Sequence, residues 1–133
     1  MMSTASDPIA DMLSRIRNAI AVNQSTVSLP YSKINENIAK VLADSGFLQS
    51  VKTAEEDGRK QLRITINGEN DNAAITVIKR LSTPGRRLYV RADAIPKVKG
   101  GRGLVIVSTS GGVMTGEQAR AKQTGGELIC EVY

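Results

Sequence analysis

The sequence predicts an α+β protein with two small packed domains: an amino-terminal α-β-α-β-β domain over residues 1–82 and a carboxy-terminal β-rich domain with one short helix over residues 83–133. Helical periodicity dominates the first half, whereas apolar runs of strand length dominate the second. Between the halves lies Thr83-Pro84-Gly85. Proline fixes one backbone angle and glycine leaves the next one free, as a tight turn requires. A chain of 133 residues is long enough for two such domains to share a core.

A helix is predicted at the start of the first domain. Asp7 can cap it, and Pro8 suits the first helical position, where no amide hydrogen is needed. Asp11 and Arg15 form a favourable pair one turn apart on its outer face. The apolar residues that recur at helical spacing are Ile9, Leu13, Ile16 and Ile20.

Caps, glycines and alternation predict the remaining elements. Ser32 is suited to cap a second helix, which Gly46 ends. Thr115 and Gln118 have the spacing of a capping box for a third, short helix, and the glycine pair at 125–126 stops it. The predicted strands cover residues 27–29, 47–52, 60–66, 74–81, 88–90, 104–107 and 127–133, with loops at 67–72 and 108–114.

Residue usage excludes several chemistries. The chain has no histidine, which excludes Ser-His and Cys-His nucleophiles and imidazole-bound zinc. Its one cysteine, Cys130, lies in an apolar run, where a buried and inert thiol is expected. No spacing of carboxylates picks out an acid/base pair. We therefore predict a protein without catalytic residues, metal ligands, cofactor or small-molecule substrate.

The amino terminus and the lengths of the apolar runs indicate where in the cell the protein is located. Residues 1–7 lack both the basic and the apolar region of a signal peptide. No apolar run approaches the roughly 20 residues that a membrane helix needs. The sequence therefore predicts a cytoplasmic protein with no membrane partner.

Positive charge is concentrated in one stretch of the chain. Residues 79–102 contain eight Lys and Arg against the single acid Asp93, a net charge of +7. The whole chain carries +5, so the remainder carries −2. A one-signed segment on a mildly acidic body is typical of a surface that binds a polyanion, although it can also be a solvated charged face.

Two common RNA-binding modules do not fit. The run at 100–103 satisfies the GXXG pattern of KH domains, but no helices flank it, and a flexible turn before a buried strand is the simpler interpretation. Sheet platforms for single-stranded RNA need clustered aromatics, whereas this chain has one Phe, three Tyr and no Trp. A folded duplex, recognised through its backbone and 2′-hydroxyls, suits the sequence better.

The hydroxyl-rich turn Ser108-Thr109-Ser110 leaves a buried strand and leads to a capped helix, so it should be held rigidly at the surface. Its hydroxyls can bond phosphates, 2′-hydroxyls or base edges, or they can serve only the backbone of the turn. Glu127 can likewise orient an RNA donor or a backbone amide. RNA selectivity would require this turn and the cations near the Pro-Gly turn to form one continuous face.

Together these motifs resemble the bacterial small-subunit ribosomal protein eight family. The resemblance covers nearly the whole chain, in order and without large gaps. The segments that carry it are Asp7 to Leu13, Arg15 to Ala19, Ser32 to Ile34, Pro84 to Tyr89, Ile95-Pro96, Gly103 to Ser110, Gly112 to Thr115 and Gly125 to Cys130.

The resemblance implies a structural constituent of the small ribosomal subunit that supports its assembly. Family members bind directly to an irregular helix in the central domain of 16S ribosomal RNA, beside other ribosomal proteins, with protein five expected among them. Residues expected to contact bases and sugars are Ser108, Thr109, Ser110 and Glu127, with Gly125 and Gly126 beside them. Those expected along the adjoining surface are Arg86, Arg87 and Tyr89. Those expected to touch RNA from the first domain are Arg15, Asn18, Ser32 and Lys33.

Three positions depart from what the family usually carries. Gly111 and Thr83 stand where basic or amide side chains are frequent, and Arg102 stands where an apolar residue is usual. We therefore expect two of the family's basic contacts with RNA to be missing and Arg102 to supply one new basic contact nearby.

Two other function classes are alternatives to RNA binding. A small hydrolase or transferase would hold a phosphorylated substrate on the basic segment, but it lacks His, a second Cys and metal-spaced carboxylates. A protein-only adaptor would meet an acidic partner through the same segment. Nuclease treatment separates the adaptor from an RNA-binding protein, because an adaptor keeps its partner after RNA is digested.

Overall fold

A computed structural model describes residues 7–68 and 70–133. The segment 1–6, which carries most of the signal-peptide prediction, and Glu69 of the predicted loop at 67–72 lie outside the described residues. The helices are α1 (Pro8–Ala21), α2 (Lys33–Asp44) and α3 (Gly116–Ala121), with 3-10 turns at Ala92–Ala94 and Lys99–Gly101. The strands are β1 (Thr26–Pro30), β2 (Ser50–Glu56), β3 (Arg59–Thr65), β4 (Ile78–Arg80), β5 (Tyr89–Val90), β6 (Leu104–Thr109), β7 (Gly112–Thr115) and β8 (Gly126–Val132).

The three helices begin where their caps predict. Asp7 accepts a hydrogen bond from an amide in the first turn of α1 at 3.1 Å, and Ser32 accepts one in α2 at 3.4 Å. Thr115 and Gln118 exchange the two bonds of a capping box, at 3.1 and 3.0 Å. Across residues 7–68 and 70–133, the helices are too short or too polar to span a bilayer.

The first half forms the predicted α-β-α-β-β unit. Its sheet has the antiparallel order β1-β3-β2, and a turn at Asp57 and Gly58 joins β2 to β3. Leu62 and Ile64 in the central strand are fully buried, while Arg63 between them is exposed. This alternation arises because α1 and α2 cover one face of the sheet. The α+β fold class is confirmed.

The second sheet has the order β4-β8-β6-β7, and β5 also pairs with β8. The strand predicted over 74–81 is shorter, since only Ile78–Arg80 pairs with β8. Before it, the amides of Thr76 and Val77 both donate to the carbonyl oxygen of Tyr133, at 2.7 and 2.8 Å. The domain boundary after residue 82 stays a prediction. Strand β4 precedes this boundary in the chain, but it pairs with β8, which follows the boundary.

The prediction of a loop over residues 108–114 is wrong. Residues 108 and 109 extend β6, and Thr109 pairs with Gly112 at the start of β7, so the segment is a tight hairpin. Gly112 has φ +116°, a conformation that L side chains rarely adopt. Glycines and hydroxyl residues favour hairpin turns as much as longer loops, and the pattern alone did not separate the two.

Two hydrophobic cores enclose the second sheet. The larger core joins the first half to Ile106, Ile129 and Cys130 of the second sheet. The smaller core contains Val107 and Leu128 together with the residues beneath α3. Since neighbouring residues of β6 and β8 point into different cores, both faces of these strands are held by packing.

The buried cysteine should react only in the unfolded protein. Cys130 is fully buried, and this burial raises the pKa of its thiol to about 12. Because the thiolate is the reactive species, thiol labelling of the native protein at pH 8 should be at least about 100-fold slower than labelling in guanidinium. Timed labelling with a chromogenic disulfide measures this difference. Rapid stoichiometric labelling of the folded protein would contradict the burial of this thiol.

Candidate nucleic-acid interface

A row of polar side chains crosses three strands of the second sheet. Tyr89 of β5 pairs with Glu127 of β8, which in turn pairs with Ser108 of β6. Directly paired residues of antiparallel strands present their side chains on the same face. Tyr89 is 68% exposed, one of two large apolar side chains at the surface among the described residues. The structure therefore brings three predicted site residues into one line.

An irregularity in β8 creates this row. Ile106 pairs with Cys130, but the next residue of β6 pairs with Leu128, so Ile129 is an extra residue in β8. An extra residue of this kind reverses the alternation of faces beyond it. Regular pairing would place Leu128 opposite Ser108, and the bulge places the carboxylate there instead.

The carbonyl oxygen of Ile129 is held from the β4 side. It accepts bonds from the amide of Leu81 at 2.9 Å and from the guanidinium of Arg80 at 2.8 Å. Arg80 also forms an ion pair with Asp7 at 3.3 Å, and both side chains are largely buried. Asp7 is the cap of α1, so this pair connects the first helix to the bulge.

The carboxylate of Glu127 is fixed by two donors. The hydroxyl of Ser82, which is fully buried, donates to it, and that hydroxyl accepts a bond from the amide of Leu88 at 3.2 Å. The guanidinium of Arg87 lies 3.1 Å from the same carboxylate. Sequence patterns missed Ser82, since nothing in the local run distinguishes it from an ordinary turn residue.

The Pro-Gly turn is closed and carries two exposed cations. Thr83 and Arg86 exchange backbone bonds at 3.0 and 3.1 Å. Past the turn, the carbonyl of Leu88 accepts a bond from the amide of Leu128 at 2.9 Å. Within the described part of the chain, the side chain of Arg86 forms no ion pair, whereas Arg87 is paired with Glu127. The turn thus lies beside the polar row.

The three hydroxyls of the β6-β7 hairpin differ in their surroundings. Thr109 donates to the carbonyl of Gly112 at 2.9 Å and accepts from the amide of Gly111 at 3.0 Å, so its side chain holds the turn. Ser108 is half-buried in the polar row, and Ser110 is exposed at the tip. Ser110 is therefore the hydroxyl most accessible to a ligand.

Gly125 and Gly126 permit close approach of neighbouring chain segments. A Cβ on Gly125 would lie 2.3 Å from the carbonyl oxygen of Val90, and one on Gly126 would lie 2.1 Å from that of Ser108. Both distances are too short for any side chain. Their position beside the row is explained by packing between β5, β8 and β6.

The four predicted residues of the first half form two groups. Ser32 and Lys33 lie at the start of α2, which contacts the start of α1 through a bond from Asn35 to the carbonyl of Pro8 at 3.0 Å. This places them near the end of α1 that meets Arg80.

Arg15 and Asn18 lie two to three turns further along α1, roughly 10–15 Å away. Arg15 is bound to Asp11 at 3.1 Å and to the carbonyl of Ser28 at 3.1 Å. The structure therefore does not gather all four residues at one point.

Comparison with known proteins decides the family. The family model described as ribosomal protein S8 matches residues 7–133. The chain belongs to this family. It is similar to small ribosomal subunit protein uS8 of Koribacter versatilis, at 44% identity over 99% of this chain and 100% of that protein. The corresponding protein of Enterococcus faecalis is 48% identical over 96% of this chain and 97% of its own length.

Membership in the S8 family confirms the broad function predicted from the sequence. The chain is a structural protein of the bacterial small ribosomal subunit, an assembly of ribosomal RNA and ribosomal proteins, and it is not an enzyme. It acts in translation, in the cytoplasm where bacterial ribosomes work. The alternative of a small hydrolase or transferase is wrong.

Substitution of Gly126 should disturb the row. In Gly126→Ala the added Cβ would overlap the carbonyl of Ser108, so β8 must shift away from β6 and the free energy of unfolding should fall by about 1–3 kcal/mol. Gly111→Ala is the matched control, because its nearest atoms are 3.7 and 3.9 Å away, and it should change stability by less than about 0.5 kcal/mol. Urea unfolding measures both, and equal losses would contradict the proposed close approach.

Proposed function

We propose that the chain binds directly to an irregular helix in the central domain of 16S ribosomal RNA and thereby supports assembly of the small subunit. The observation that carries the proposal is the continuity of the polar row with the Pro-Gly turn. Tyr89, Glu127 and Ser108 are aligned across three strands, and Arg87 contacts the middle member. Such a surface is rigid, because the strands beneath it pack into two cores.

The proposal divides affinity from selectivity. Exposed cations such as Arg86 attract any RNA by displacing counterions, without information about its sequence. Short hydroxyls can distinguish one arrangement of base edges and sugars from another, because the tight hairpin fixes the backbone that carries them. The exposed ring of Tyr89 adds a flat apolar surface for a ribose or an unpaired base.

Two finer parts of the proposal rest on the family resemblance. Protein five is proposed as one of the neighbouring ribosomal proteins. Ser32 and Lys33 are proposed to touch the same RNA as the polar row, which agrees with their place near the capped end of α1. Arg15 and Asn18 are proposed to contact RNA further along that helix.

Removal of an exposed cation should weaken binding to all RNAs alike. If about four to six phosphates are neutralised, the slope of log affinity against log salt should be roughly −3 to −5. Arg86→Ala should make that slope less steep by about 0.7–0.9 and weaken cognate and random duplexes by the same factor. Arg59→Ala, which removes an exposed cation from the first sheet, is the control. A slope unchanged from wild type would exclude a phosphate contact at Arg86.

Removal of the exposed hydroxyl should reduce selectivity instead. Ser110→Ala should weaken the binding free energy for the cognate helix by about 1–3 kcal/mol, which is the typical effect of one mismatched base pair. It should change binding to a random duplex little. Stability should be unaffected, because the side chain is exposed at the turn. Ser28→Ala, an exposed serine on β1, serves as the control. Filter binding to both RNAs gives the ratio of the two affinities. An equal loss of affinity for the two RNAs would exclude a selective role of Ser110.

A further inference from the structure

The cations at 86–102 of the basic segment are divided between the two ends of strand β6, whereas Lys79 and Arg80 lie on β4, where Arg80 is paired with Asp7. At one end, Arg87 lies 3.1 Å from Glu127, the residue that pairs with Ser108. At the other end, the ammonium of Lys99 lies 4.6 Å from the ring centroid of Tyr133, just beyond the pairing of Leu104 with Val132. Four residues of extended strand separate the ends, about 13 Å. The charge therefore forms two patches.

Most of the unpaired charge lies at the end remote from the hydroxyl turn. Near that turn, Arg87 is paired with the largely buried carboxylate of Glu127 at 3.1 Å, and Arg91 lies 3.3 Å from the exposed carboxylate of Asp93. At the remote end, Lys97, Lys99 and Arg102 are exposed and form no ion pair with any residue that the structure describes. Arg102, which is expected to supply a new basic contact with RNA, lies at this remote end of β6 and not beside the hydroxyl turn.

Lys97 and Arg102 line an open groove of about 800 Å³, and Lys99 lies between them in the chain. The groove lies between the end of α2, the glycine-rich segment before β6 and the start of α3, with Phe47 and Leu104 among its lining residues. Arg120 also lines it and is held by a bond to the carbonyl of Ile95 at 3.0 Å. Glu117 is the one acidic residue among the lining residues, so the groove is positive.

We propose that this groove, with Lys97, Lys99 and Arg102, is a second binding surface that takes the phosphate backbone of RNA. Unpaired cations around a groove complement a polyanion. Lys99 covers the ring of Tyr133 and Phe47 is half-buried, so neither ring offers a free stacking surface for unpaired bases. The groove therefore supplies affinity without sequence information, while the polar row supplies selectivity.

This inference rests on the proposed function, because it assumes that the protein binds ribosomal RNA. It adds that one RNA, or two segments of it, contacts both ends of β6. The remote end should then account for a larger share of the salt dependence than the Pro-Gly turn, where Arg87 is already paired with Glu127.

A triple variant tests the charge of the groove. Lys97→Gln, Lys99→Gln and Arg102→Gln together should make the salt slope on full-length small-subunit ribosomal RNA less steep by about 2–3. Binding near 0.1 M salt should weaken roughly 10- to 100-fold. The control carries Lys52→Gln, Arg59→Gln and Arg63→Gln on the first sheet, which lowers the net charge equally. A triple variant with the slope of that control would overturn the inference.

Site-directed cleavage tests the location independently. The natural thiol is buried, so Ala121→Cys, whose position lines the groove, can be labelled selectively with a tethered hydroxyl-radical source. We expect cuts in the ribosomal RNA at nucleotides distinct from those cut from Ser110→Cys, and their loss in the triple variant. Cuts from position 110 alone would overturn the inference, and so would cross-links from position 121 to a ribosomal protein in assembled subunits. If the proposed function itself were wrong, the result would be different, because the wild-type protein would then show no preference for its cognate helix.

Discussion

The extra residue Ile129 in β8 is the constraint on which the polar row depends. Regular alternation would turn Glu127 away from Ser108, and no rotation of the side chain could restore it to that face. The carbonyl of the extra residue is held by a backbone amide and by Arg80, whose guanidinium is in turn fixed by Asp7. The cap of the first helix and the register of the second sheet are therefore parts of one hydrogen-bonded unit.

The electrostatics of the row follow from this arrangement. A carboxylate that faces a polyanion is unfavourable unless donors already hold it. Glu127 has two such donors, the buried hydroxyl of Ser82 and the guanidinium of Arg87. Its side chain is only 12% exposed, so its orientation is fixed before any ligand arrives. The row thus contributes little net charge, and it can recognise RNA only through the fixed positions of its polar groups.

Residue patterns predicted the features that depend on neighbours in sequence. The caps Asp7 and Ser32 involve residues three positions away, and both helices begin as expected. The features that were missed depend on distant pairings. Ser82 and Glu127 are 45 positions apart, and the bulge lies in the pairing of β8 with β6, which are separated in sequence by β7 and α3. The strand predicted over 74–81 was too long for the same reason, since its apolar pattern does not show where the partner strand ends.

Charge along the chain and charge in space are different quantities, and this fold separates them. Between β5 and β6 the chain travels the length of the second sheet, so the cations at 86–102, which are close together along the chain, become two patches. At physiological salt, charges more than about 8 Å apart are largely screened from each other. The two ends of β6 are about 13 Å apart, so they act on a ligand almost independently. An RNA that contacts both patches therefore releases counterions at each, and the two contributions to the salt dependence add.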